Sequence, residues 1–350
     1  MKNNYKHDYS SISDKALRKL SQIFFRMVGG REKAACFYPS YRHRNHSTKN
    51  ADRAETSFYF TARPYYAAGF GHGLGSWRAG YIDAKVFDIE YAYYPMASTA
   101  WEEALGLGEN EVYATELLGA GYKKVVLPYY NPSKDSDREL IKQIINSYEG
   151  KKIVFFNSED QKNEGYSDEI GNDFIREKFW VSSARQSDRV LYDKKNINIA
   201  VHIRRGDVST GLAEGNEKLR CMWLDNEYYV RLLDLVIEMI GADKPYSISL
   251  FSEGNKEDFS EFEKYGKKVQ FVLDGNPQDT FINMCYADIL MTAPSSFSRE
   301  AGNINRNLKI ASDKQGGYPD NGLWVLADPE GTLHSGTESR VREYINNLKK

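Results

Sequence analysis

His202, Arg204, Arg205 and Asp207 close the stretch NIAVHIRRGD and bring an imidazole, two guanidiniums and a carboxylate to one place in the chain. A guanidinium is a planar fork of donors that matches a phosphate better than the point charge of lysine, so the chemistry expected here is the gripping of an anion. The residues before it explain how that charge is positioned. Ile199, Val201 and Ile203 are apolar and β-branched, as a buried strand requires, and Gly206 supplies a flexible turn. The charged groups therefore stand at the carboxyl end of a strand, the edge at which open α/β sheets bind nucleotides. If the strand persists, Arg204 and Arg205 point to opposite faces, so at most one forks a phosphate while the other orients the loop or pairs with Asp207. A surface salt-bridge turn is the plainer alternative, and the letters RGD carry no adhesion role.

A second segment, ADILMTAPSSFSREAG (Ala287–Gly302), has the same form: an apolar strand that opens through Pro294 into Ser295, Ser296 and Phe297 at a helix start. Hydroxyls together with the free N–H groups of a helix N-terminus make a diphosphate cradle, although a serine N-cap without a ligand looks the same in sequence. The third is AAGFGHGLGSWRAG (Ala67–Gly80), a glycine loop whose Gly71 and Gly73 flank His72 and precede a helix expected over 76–87. Its spacing matches a dinucleotide fingerprint only loosely, and no acidic partner follows about 20 residues on, which disfavours a nicotinamide cofactor. Candidate bases for a hydroxyl are Asp207, Glu214 and Glu253, at or beyond strand ends. The triplet Asp135-Ser136-Asp137 has the letters of a metal-binding DxD, but it opens a helix, where capping is the simpler role. No metal is expected; the arginines take over the charge that magnesium would neutralise.

Alternating strand-like and helical runs argue for an α/β fold. Strands are expected at Ser57–Thr61, Glu90–Tyr94, Lys123–Tyr130 and Lys152–Phe156, with a helix over 136–148. Beyond the arginines, Asp225 caps a helix running to Ile240, whose Val230, Leu233, Val236, Ile237 and Ile240 form the apolar face and which Gly241 ends. Strand Tyr246–Phe251, a polar helix from Asn255 to Tyr265, strand Lys268–Leu273, a helix over 279–286 and strand Asp288–Thr292 follow. That rhythm is a doubly wound nucleotide-binding lobe. The charged stretch Asn163–Lys195 reads as a loosely ordered connection, giving a first lobe over 1–195, a nucleotide-binding lobe over 196–335 and a closing helix over 336–350.

With 350 residues, 41% hydrophobic content and a net charge of -2, the chain fits two lobes with real cores and gives no general electrostatic reason to bind nucleic acid or an anionic membrane. The three cysteines, Cys36, Cys221 and Cys285, form no disulfide or zinc pattern. No signal-peptide core and no run of roughly 20 apolar residues occurs, so a cytoplasmic protein without an integral membrane segment is expected. A short amphipathic helix is expected over Asp14–Val28. Tyr65, Tyr66, Tyr129 and Tyr130, among 25 tyrosines, could stack on a flat ligand face, with ordinary amphipathic core packing as the plainer role.

Together the motifs resemble the GT-B fucosyltransferase superfamily, which includes α1,2- and α1,6-fucosyltransferases, the rhizobial nodulation fucosyltransferase and protein O-fucosyltransferases. GFGHGLG resembles its early glycine loop, VHIRRGD its HxRRxD motif, and ADILMTAPSSFS its late strand ending in paired serines, in the same order. The resemblance implies two Rossmann-like lobes facing a central cleft, with the C-terminal lobe binding the nucleotide sugar. It implies an inverting, metal-independent transfer of fucose from GDP-fucose to a hydroxyl of an oligosaccharide or glycoconjugate. Arg204 and Arg205 would hold the β-phosphate, Ser295, Ser296 and Phe297 would line the diphosphate site, and His202 would help hold the nucleotide. Asp279 is the nearest match to an acidic residue that reads guanine, and Gly71, His72 and Gly73 would touch donor or acceptor. Relatives place an acid about ten positions after the histidine; Leu212 stands there, and Glu214 fits with a small insertion. The alternatives are the same fold with another nucleotide sugar, and a glycan- or nucleotide-binding protein without turnover.

Overall fold

The computed structural model describes residues 23, 27, 56–62, 70–96, 98–157, 169–320 and 322–348, and the chain divides into two units at Ser182/Ser183. Of the helix expected over Asp14–Val28, only Ile23 and Met27 are described, both helical; Cys36, Tyr65, Tyr66 and Gly69 lie outside the described residues. No helix among the described residues is long and apolar enough to cross a membrane.

The first unit runs β1 (Ser57–Thr61), α1 (Phe70–Val86), β2 (Glu90–Tyr91), α2 (Thr99–Leu105), α3 (Ala114–Gly119), β3 (Lys123–Val126), α4 (Asp135–Asn146), β4 (Lys152–Phe156) and α5 (Glu169–Val181). Its four strands pair in the order β2-β1-β4-β3, all parallel. A parallel sheet is covered on both faces, so its strands read as near-continuous apolar runs. β4 shows this. Ile153 and Phe155 join the cluster under α1 and α4, while Val154 and Phe156 pack on the opposite face with Ala92 and Ala114.

Several expectations for this half need correction. The glycine-rich segment is not a loop: Gly71, His72 and Gly73 lie in the first turns of α1, which begins well before Ser76. The glycine that serves close approach is Gly80, where a Cβ would stand 2.5 Å from the Ala62 backbone nitrogen of the β1 end. The expected Glu90–Tyr94 strand shrinks to two residues and an isolated bridge at Tyr93. Asn163–Lys195 is not a loose connection where it is described. Gly171, Ile175 and Phe179 recur every four residues and bury one face of α5, and a short 3-10 turn over Ser183–Ser187 opens the second unit.

The second unit runs β5 (Ile197–His202), α6 (Asp207–Ala213), α7 (Asn226–Ile240), β6 (Tyr246–Ser252), β7 (Val269–Leu273), α8 (Pro277–Tyr286), β8 (Ile289–Met291), α9 (Ser296–Ile304), β9 (Leu308–Ser312), β10 (Trp324–Ala327) and α10 (Thr337–Asn347). The stretch from Lys256 to Lys268 is 3-10 and kinked, with a capping box between Asn255 and Asp258. All six strands are parallel in the order β10-β9-β8-β5-β6-β7. Counted within the unit, that is the doubly wound order in which the direction of strand addition reverses between the first strand, β5, and the fourth, β8. Ile197, Ile199, Val201 and Ile203 enter the core together with Leu232, Leu233, Val236 and Ile240 of α7. The tyrosines Tyr228 and Tyr229 also face that core, whereas Val230 and Ile237 are only partly buried. α10 packs on α7 and belongs to this unit.

Candidate active site at the β5/β8 reversal

Sheets of this order leave a crevice beyond the carboxyl ends of the two strands at the reversal, because the helices that follow them depart to opposite faces. Both charged segments singled out in the sequence are found there. β5 and β8 are direct neighbours, with Val201 opposite Met291. β5 then delivers Arg204 through Asp207, and β8 delivers Ser295 and Ser296.

Arg204 and Arg205 do opposite things, as alternation along an extended chain demands. Arg204 is partly exposed and turns to the crevice. Its Nη2 donates to Asp207 Oδ2 at 2.8 Å, its Nε to Oδ1 at 3.4 Å, and its Nη1 to Ser295 Oγ at 3.3 Å. Asp207, the first residue of α6, thus holds one edge of the guanidinium and leaves the Nη1 side facing α9. Arg205 turns into the protein. Its Nη2 donates to Asn226 Oδ1 at 2.6 Å and to the Leu224 carbonyl at 3.1 Å, its Nη1 to the Arg204 carbonyl at 3.0 Å, and the Trp223 ring lies 3.9 Å from its Cζ. Only 7% of Arg205 is exposed. Its fork is committed to scaffold groups, which makes Arg205 the brace of the turn and leaves Arg204 as the partly exposed guanidinium at its tip.

Gly206 makes the turn possible. Its φ of +43° is a backbone state that side chains disfavour, and a Cβ there would lie 1.9 Å from Glu253 Oε2.

Ser295 is buried and caps α9, accepting from the Phe297 N–H at 3.3 Å. Ser296 is exposed at the first position of the helix. The positive end of the α9 dipole and its first-turn N–H groups therefore open beside Arg204. Ser298 is used internally, donating to the Ala293 carbonyl. His202 ends β5 with its ring 5.7 Å from Phe297, whose own ring lies 5.5 Å from Phe281 of α8. Burial and the neighbouring Arg204 charge push the His202 imidazole down to about 3. It is neutral at physiological pH, so it can offer a hydrogen bond to a ligand but no charge to a phosphate. Its Nδ1 is buried without a hydrogen-bond partner among the described residues.

The other candidates are dispersed. Asp279 is half-buried in the first turn of α8, where Asn276 Oδ1 accepts its backbone N–H at 3.0 Å. It lies near the Arg185–Asp188 ion pair, in which burial raises Asp188, and the Asp279 charge adds to the rise. Glu214 ends α6, roughly 10 Å along the helix from Asp207, and is exposed. That distance separates it from Arg204. Gly71, His72 and Gly73 belong to the first unit. Asp135 and Asp137 serve the start of α4: Asp135 pairs with Arg138, and Asp137 accepts the Asn131 N–H at 2.9 Å. Tyr130 is buried in the first core and donates to Asp83, so it offers no face to a sugar; Tyr129 is half-buried. Among the described residues, no group of three His, Cys, Asp or Glu side chains could hold a metal ion.

Trp223 and Asn226, which hold Arg205, were not legible as site residues. They stand some 20 positions further on, and nothing in WLDN signals that contact.

Comparison with solved structures finds remote similarities. POFUT1 in complex with GDP is similar over 75% of this chain and 97% of its own, at 12% identity and a TM-score of 0.43. The fucosyltransferase NodZ from Bradyrhizobium is similar over 71% and 93%, at 12% identity and a TM-score of 0.42. The E. coli heptosyltransferase WaaC with ADP is similar over 84% and 100%, at 11% identity and a TM-score of 0.41. The two α/β units with parallel sheets expected of a GT-B chain are present. No protein-family profile and no curated protein matches the sequence.

Proposed function

We propose that this chain is an inverting, metal-independent glycosyltransferase that moves fucose from GDP-fucose to a glycan hydroxyl. The observation that carries the reading is the hydrogen bond between Arg204 Nη1 and Ser295 Oγ across the β5/β8 reversal. It places a guanidinium and a helix N-terminus side by side, and both stabilise a leaving diphosphate. The sequence order of the arginine motif and the serine pair supports fucose as the sugar.

In this mechanism the acceptor hydroxyl attacks the anomeric carbon on the face opposite the diphosphate. The bond from the anomeric carbon to the β-phosphate oxygen breaks, negative charge grows on the departing nucleotide, and the acceptor hydroxyl gives up its proton to solvent. Arg204, steadied by Asp207, and the first turn of α9 bear that charge without reorganising, which is where such a site gains most of its rate. Arg205 keeps the turn in place from below. His202, being neutral, orients the nucleotide by a hydrogen bond.

The test is a panel of nucleotide sugars incubated with the protein and mixed oligosaccharides, with a chelator present. Release of GDP from GDP-fucose alone is the expected result. Release of a different nucleotide assigns the same site to another sugar donor, and binding without release assigns it to a protein without turnover.

A further inference from the structure

Glu253 follows β6 directly, and β6 is the second strand of its unit. In the ladder Phe251 stands opposite His202, and Ser252 Oγ donates to the Ile203 carbonyl at 2.8 Å. Glu253 is therefore the residue beside the Arg204 turn. Its side chain folds against that turn: the carboxylate occupies the space that a Cβ on Gly206 would need, with Oε2 1.9 Å from the ideal Cβ position. Among the described residues this carboxylate has no hydrogen bond and no ion pair. The nearby cations are committed elsewhere, Arg204 to Asp207, Arg205 to Leu224 and Asn226, and Lys256 to Glu263.

An ionised carboxylate only accepts hydrogen bonds. Placed next to an anion grip it repels phosphate oxygens, so the part of a ligand that meets it must carry donors. In the dinucleotide-binding members of this sheet order an acid beyond the first βα turn takes the ribose hydroxyls of a nucleotide whose phosphates lie at that turn, and Glu253 stands in the comparable place relative to the Arg204 turn. We propose that Glu253 accepts the ribose hydroxyls of the bound nucleoside diphosphate. This assignment rests on the diphosphate reading of Arg204. It also explains why the turn residue is glycine: any side chain at position 206 would displace the carboxylate from the place where it meets the sugar.

The test is calorimetric titration of wild-type protein and Glu253→Gln with GDP, 2′,3′-dideoxy-GDP and inorganic pyrophosphate, with melting midpoints as a control for folding. The wild type is expected to bind GDP about 10-fold or more tightly than the dideoxy compound, as a hydrogen bond to a charged group implies. Glu253→Gln is expected to erase that preference and to bind pyrophosphate no more weakly than the wild type, since a repelling charge beside the anion grip is gone. If the variant keeps the wild-type ratio of GDP to dideoxy-GDP affinity, the assignment is overturned while the Arg204 reading stands. The same retained ratio with a slower transfer would move the carboxylate to the acceptor hydroxyl, which also overturns it. A wild-type protein that binds neither GDP nor pyrophosphate overturns the diphosphate reading itself, and this assignment with it.

Discussion

Arg204 and Ser295 meet across the β5/β8 reversal, Nη1 to Oγ at 3.3 Å, although they are 91 residues apart in sequence. The contact links the charged turn after one strand to the capping residue of the helix after its neighbour. On the proposed function, a ligand phosphate between them would replace a bond from Arg204 to a neutral hydroxyl by one to an anion, and bonds to charged partners are the stronger kind. The site is thus assembled before any ligand binds.

Because the two arginines face opposite ways, their alanine variants separate. Arg204→Ala should lower GDP affinity by about 10–100-fold and leave the melting midpoint close to wild type. Arg205→Ala should destabilise the fold by about 2–3 kcal/mol, since it strands the Asn226 amide oxygen and the Leu224 carbonyl and removes the Trp223 stack. Calorimetry and denaturant titration of the pair check this. Equal stability of the two variants would contradict the assignment of Arg205 to the scaffold.

His202 sets a pH dependence of opposite sense to that of most histidines with an anionic partner. Its folded-state value, about 3, lies below the ordinary one near 6.5. The unfolded chain therefore takes up a proton that the folded chain refuses. Stability from this residue is fully present above about pH 6.5 and is lost as pH falls toward 3. His202→Gln should flatten the acid side of a plot of denaturant midpoint against pH. An unchanged slope between pH 6 and 4 would show that the ring is solvated.

Asp83 acts on the other side of neutrality. It is fully buried on α1, accepts from Tyr130 and from Asn157 Nδ2 (2.6 Å), and burial raises it to about 7 against those two bonds. The folded state holds a proton more tightly than the unfolded chain, so the contribution is complete near pH 4 and is lost as pH rises through 7. Asp83→Asn should remove that loss. The new amide can be accommodated because Asn157 Oδ1 is buried without a partner and can turn to accept from it. Melting midpoints from pH 5 to 8 decide the matter: a fall in wild type that the variant lacks is expected.

Gly206→Ala should cost about 1–3 kcal/mol from the positive φ alone, with a further cost from the collision with Glu253. Combining it with Glu253→Ala should recover only the second part. Full recovery in the double variant, measured by denaturant titration, would mean that the backbone state is unstrained.

The strands of the second unit that read clearly in sequence are those rich in buried β-branched and large apolar residues, β5, β6 and β8 among them. β9 and β10 were not legible. β9 carries Lys309 as its second residue, which looks polar in sequence; in the fold the residue is buried, its Nζ donates to the Asn305 carbonyl at 3.2 Å and lies over the Trp324 ring. β10 spans only Trp324–Ala327 after a turn-rich stretch. The glycines of α1 misled in a different way, because local propensity favours a loop and only tertiary packing against β1 makes the helix. At the site, the charged residues and their strand ends were legible from types and spacing. The division of labour between Arg204 and Arg205 was not, since the partners that bury Arg205 come from a distant segment.

The central claim is that Arg204 holds the departing diphosphate. Its most direct test is the rate of GDP release from GDP-fucose in the presence of acceptor glycans and chelator, measured for wild type and Arg204→Ala at matched folded fraction. The wild type should turn over and the variant should be slower by about 100- to 1,000-fold, the cost of removing one charge-stabilising donor. Turnover of Arg204→Ala at the wild-type rate would contradict the account.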